Sequence, residues 1–108
     1  MCQVKEVSTL NRQGMSACVR GDYPTAISTL SQAEQKAFFM GATTFRGKIN
    51  YHLGIVHQLS GDQHKARDCY TIAKSIIMNK IGTDNSLYKK ITDSLATLNT
   101  QNSTQKAA

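Results

Sequence analysis

The chain of 108 residues suits a single domain with one modest core, and its 40% apolar and 19% charged residues exclude a disordered polyelectrolyte. No apolar run approaches the roughly 18 residues that a membrane span needs, so no span is expected. The net charge of +6 invites an acidic partner, yet the lysines and arginines are scattered with no run above two, too sparse for a dedicated nucleic-acid stripe.

The opening segment MCQVKEVSTL lacks the apolar stretch of a signal peptide. Cys2, Cys18 and Cys69 form no CxxC pair and no metal-ligand spacing, an odd and widely spaced set that fits a reducing, cytoplasmic setting. A first helix is expected over 4–20. It stops at Gly21, which can take φ > 0, and Asp22 then caps a second helix over 23–40 with Pro24 in its first turn. Ile27, Leu30, Ala33, Ala37 and Phe38 give that helix an apolar stripe on the 3.6-residue period. Gly41 ends it, and Thr43 or Thr44 opens a third helix over 43–60, striped by Phe45, Ile49, Leu53 and Val56. Ser60-Gly61-Asp62 repeats the stop and the cap. The fourth helix, 63–81, carries Ala66, Cys69, Tyr70, Ala73, Ile76 and Ile77 on one side. Gly82 ends it, and Thr83 or Asp84 begins a fifth over 85–98 with Leu87, Ile91, Leu95 and Leu98. The tail 99–108 is polar and without large apolar residues, so it is expected to be disordered, leaving a helical domain over 1–98.

Self-comparison gives one offset of forty residues. Gly14 matches Gly54, Gly21-Asp22 matches Gly61-Asp62, Ala26 matches Ala66, Leu30 matches Tyr70 and Ala33 matches Ala73. Glycine inside a helix costs about 0.5–1 kcal/mol relative to alanine, which is explicable where another helix crosses closely. Gly14 and Gly54 are therefore expected at such crossings, with Ala26 and Ala66 as the facing small residues and Leu30 and Tyr70 filling the space one turn on.

In these residues the chain resembles the tetratricopeptide repeat family. A small residue falls mid-helix after leucine, as in Leu53-Gly54. A Gly-Asp-Tyr turn follows, as in Gly21-Asp22-Tyr23, and then alanine, a large apolar residue and alanine. Leu10–Ala33 and Asn50–Ala73 carry the pattern, about half the chain. The forty-residue period exceeds the usual one of about 34 and is similar to the longer repeats of kinesin light chains and bacterial peptide-sensing regulators. Two features depart from the pattern: Leu10 and Asn50 stand where an aromatic is usual, and no proline follows either second helix. The resemblance implies an all-α fold of two antiparallel hairpins, about 4–40 and 43–81, with a capping helix over 85–98, wound into a right-handed superhelix.

It also implies a concave groove on the first helix of each pair, lined by Ser8, Asn11, Arg12, Met15, Cys18 and Val19 and by Lys48, Tyr51, His52, Ile55, Gln58 and Leu59. Asn11, Met15 and His52 stand where the family's carboxylate clamp would need lysine and asparagine, so no clamp is expected. The apolar members suit an amphipathic helix of a partner protein. Self-association of two copies is the alternative use of the same stripe, since two repeats are few for a solenoid, and cover by the fifth helix is another; a basic nucleic-acid binder is the weaker function, resting on charge alone. No enzyme, metal or cofactor is expected. His52, His57 and His64 offer no i,i+4 ligand pair, Cys69 lies on a buried stripe, and Glu6, Asp22, Glu34, Asp62, Asp68, Asp84 and Asp93 form no convergent pair.

Overall fold

The computed structural model describes residues 2–107, with side chains from 4 to 100. Among them are five α-helices and no strand: α1 (Cys2–Val19), α2 (Tyr23–Phe39), α3 (Thr43–Ser60), α4 (Gln63–Ile81) and α5 (Ser86–Ala107).

The breaks follow from local chemistry. Asp22 and Asp62 accept the backbone N–H groups of Thr25 and Lys65 at 3.3 and 3.1 Å, which satisfies donors that the first helical turn leaves orphaned. Gly61 has φ 97°, open to glycine alone without strain, and its turn returns the Asp62 N–H to the His57 carbonyl at 2.8 Å. Helix α3 spans the expected 43–60, and Ala42 at its cap makes no side-chain bond. Two expected boundaries are corrected. Asn85 opens α5 in place of Thr83 or Asp84: its Oδ1 accepts the Tyr88 N–H at 2.8 Å while its Nδ2 donates to the Gly82 carbonyl at 2.9 Å. The expected tail from 99 is helical in its backbone as far as Ala107, since that stretch holds no glycine or proline to stop it. Its side chains beyond residue 100 lie outside the described residues.

Each helix packs on the next in the chain, and α1 also touches α3. One core cluster joins α1, α2 and α3 around Val7, Leu30, Ile49 and Val56. A second joins α4 and α5 around Tyr70, Ile77, Ile91 and Leu98. Each such side chain, fully buried, contributes about 1.5–3 kcal/mol. The two matched glycines both mark close crossings. A Cβ on Gly14 would lie 2.6 Å from Leu30 Cγ, and one on Gly54 would lie 2.5 Å from the Tyr70 ring.

Candidate functional site

Antiparallel packing sets α1 and α3 side by side, and one hydrogen bond ties them: His52 Nδ1 and Asn11 Oδ1 lie 2.7 Å apart. With the amide oxygen as acceptor, Nδ1 carries the proton. Burial, and then the charge of Lys48, lower the His52 pKa to about 4, so the ring is neutral at pH 7. The bond pairs residues 41 apart, one more than the repeat, so self-comparison sets both on this face without pairing them.

The groove residues expected from the sequence separate into three groups. Arg12, Val19, Lys48 and Leu59 are exposed. Met15, Tyr51, His52, Ile55 and Gln58 are half-buried, and Asn11 is buried. Met15 packs against the first core cluster, and Tyr51 and Ile55 against the second, where α5 also packs. Gln58 Oε1 accepts the Tyr70 hydroxyl at 2.8 Å and so holds the ring that fills the space beside Gly54. The apolar floor of this face is thus shared with the core. Val19 and Leu59, 87% and 57% exposed, are its open part. Arg12 and Lys48 have no ion-pair partner among the described residues.

A second polar cluster joins α2 to α3. Glu34 accepts from Arg46 Nε at 2.9 Å and from Asn50 Nδ2 at 2.7 Å, and all three are substantially sheltered. Asn50 Nδ2 also donates to the Arg46 carbonyl at 2.9 Å, so a polar side chain is satisfied at this buried position. Glu34 of α2 was the signal available in the sequence.

The titratable groups offer little reactivity. Burial first, then the charges of Asp68 and Glu34, push the Cys69 thiol up to about 11. Burial raises Cys18 as well. Both stay protonated at neutral pH and are poor nucleophiles. Burial lifts Tyr70 to about 12 against the lowering effect of a hydrogen bond with Ser94. Among the described residues no three His, Cys, Asp or Glu side chains converge as metal ligands would, and no helix is long and apolar enough to cross a membrane. No protein-family model, no curated protein and no solved structure matches the chain.

Proposed function

We propose that the chain is a non-catalytic protein–protein interaction module of the tetratricopeptide type, adaptor or chaperone-like, with its helices wound as a right-handed superhelix. In this reading the face shared by α1 and α3 holds an amphipathic helix or peptide of a partner protein. The carrying observation is the pair Val19 and Leu59. They occupy one repeat position twice, forty residues apart, and both stand in solvent. Arg12 and Lys48, exposed on the same two helices, add charges that an acidic flank on the partner would satisfy. The close packing of Gly14 on Leu30 and of Gly54 on Tyr70 supports the family resemblance. The free thiols Cys18 and Cys69 suit a cytoplasmic setting.

A display library of amphipathic helical peptides, panned against the protein, tests this reading. Binders are expected that the double variant Val19→Glu, Leu59→Glu no longer retains, with the circular dichroism unchanged. Interface anchors commonly cost about 2 kcal/mol or more when lost, enough to abolish capture. A library that yields no binder, or binders indifferent to the change, overturns the assignment.

A further inference from the structure

Antiparallel packing brings the starts of α1, α3 and α5 and the ends of α2 and α4 to one end of the molecule. That end holds five of the eight large apolar side chains exposed among the described residues: Val4, Phe38, Phe39, Met78 and Ile81. Only Val19 and Leu59 stand at the opposite end. Phe38 and Phe39 meet edge to face at 5.6 Å, with the Arg46 guanidinium 5.0 Å above the Phe38 ring. Scattered exposed apolar residues need no explanation, but their concentration at one end does.

Charge is concentrated at the same end. Glu6 and Glu34 pair there with Lys36 and Arg46. Lys5, Lys48, Lys80, Lys89 and Lys90 have no ion-pair partner among the described residues and are offset by Asp84 alone. At the opposite end Arg20, Lys65 and Arg67 are matched by Asp22, Asp62 and Asp68. The net charge of +6 therefore resides mainly at the apolar end.

Val4, Met78 and Ile81 neither pair with phosphate nor stack on bases, which weighs against nucleic acid as the occupant. The hollow at this end, lined by Glu6, Lys36, Phe39 and Met40, takes in only Phe39 of the five exposed apolar side chains, so a surface that meets several helix ends suits them better than a single bound peptide. Apolar tips interleaved with long cationic stems settle at the headgroup boundary of an anionic bilayer, where the tips reach the acyl region and the ammonium groups stay in the headgroups. We propose that this end of the molecule seats on an anionic lipid surface. It shares only Lys48 with the face between α1 and α3, and the variants that test the two surfaces do not overlap, so either assignment can fail without the other.

Co-sedimentation with vesicles tests it. The wild type is expected to sediment with phosphatidylcholine–phosphatidylserine vesicles and not with phosphatidylcholine alone. Phe39→Ser with Ile81→Ser, and independently Lys80→Glu with Lys89→Glu, should each weaken partition by about tenfold or more. Arg20→Glu with Lys65→Glu changes the net charge equally at the opposite end and should leave partition near that of the wild type. All six positions are exposed, so helicity by circular dichroism should persist, and either pair of variants at the apolar end suffices alone. Absence of binding to the mixed vesicles overturns the proposal. Equal losses from the two charge variants also overturn it, since binding would then follow net charge only. Tighter binding to polyuridylate with the same sensitivity would assign the surface to nucleic acid instead.

Discussion

At Gly54 two opposing effects meet. Alanine would recover roughly 1 kcal/mol of helix propensity, but its Cβ would sit 2.5 Å from two atoms of the Tyr70 ring. That ring is held by its bond to Gln58 and cannot easily give way. Gly54→Ala should therefore lower stability by about 1–2 kcal/mol, and Gly54→Leu by about 3 kcal/mol, in chemical denaturation. Gly47, which self-comparison overlooks, gives the contrast. Its added Cβ would meet Ile77 Cδ1 at 2.6 Å, a side-chain tip, with Ile77 Cγ1 and Ile76 Cγ2 at 3.0 and 3.1 Å, so Gly47→Ala should cost less than Gly54→Ala, about 1 kcal/mol or under. Equal losses at both positions would refute this ranking. The sequence did carry a signal for Gly47: forty residues earlier stands Val7, and the counterpart of Ile77 is Ala37, so large and small exchange places between the repeats. His52 makes a separate prediction. Its folded pKa of about 4 lies below the ordinary 6.5, so the unfolded chain binds the extra proton first as pH falls. The stability held in the neutral ring is complete above about 6.5 and is lost as pH falls toward 4. Replacement by Gln should flatten stability across that window, measured by urea titration at a series of pH values; an unchanged slope would show that the ring is not the group responsible.

Helix α5 shows where a sequence stops being legible. Its apolar spacing of four, four and three was plain, and Ile91 and Leu98 are indeed fully buried. Its start was not, because Thr83, Asp84 and Asn85 are all good caps and only the turn geometry selects among them. Asn85 prevails by bonding at once to Gly82 and to Tyr88. Asn85→Ala should cost about 1 kcal/mol, while Thr83→Ala should be nearly silent; the reverse order in thermal melts would move the cap back to the threonine. The end of α5 was misjudged because low apolar content signals only the absence of packing, whereas a helix stops at a breaker, and none follows Leu98. Removal of 99–108 should lower the mean helicity and leave the melting temperature unchanged, since Asn99 and Thr100 are exposed and Leu98 is retained. The candidate face was legible in its members but not in their exposure. Periodicity sets Met15, Tyr51 and Ile55 beside Val19 and Leu59, yet whether a neighbouring core claims each of them depends on how the hairpins stack.

For the whole molecule, the decisive comparison is between the outward side of the first hairpin and the matching side of the second. Helix α3 sets Phe45, Ile49, Leu53 and Val56 into the core cluster it shares with α2 and α1, with the last three buried. Forty residues earlier, α1 presents Lys5, Thr9, Gln13 and Ser16, all exposed except the half-buried Thr9. That side of α1 is thus polar where no described helix covers it, and the Glu6–Lys36 pair at 3.4 Å links α1 to α2. A polar outer face is what keeps stacked helices from adding further copies. This weighs against end-to-end pairing of two copies through α1, the alternative that two short repeats invite. The protein should sediment as a monomer at micromolar concentration. Restoring the apolar pattern with Lys5→Phe, Thr9→Ile, Gln13→Leu and Ser16→Val should convert it to a dimer or larger assembly, because no free α2-like side remains within the chain to cover the new surface. A wild-type dimer that Lys5→Glu with Gln13→Glu dissociates would show that this side is an interface and not a cap. A quadruple variant that stays monomeric and equally helical would show that polarity there is not what limits the stack.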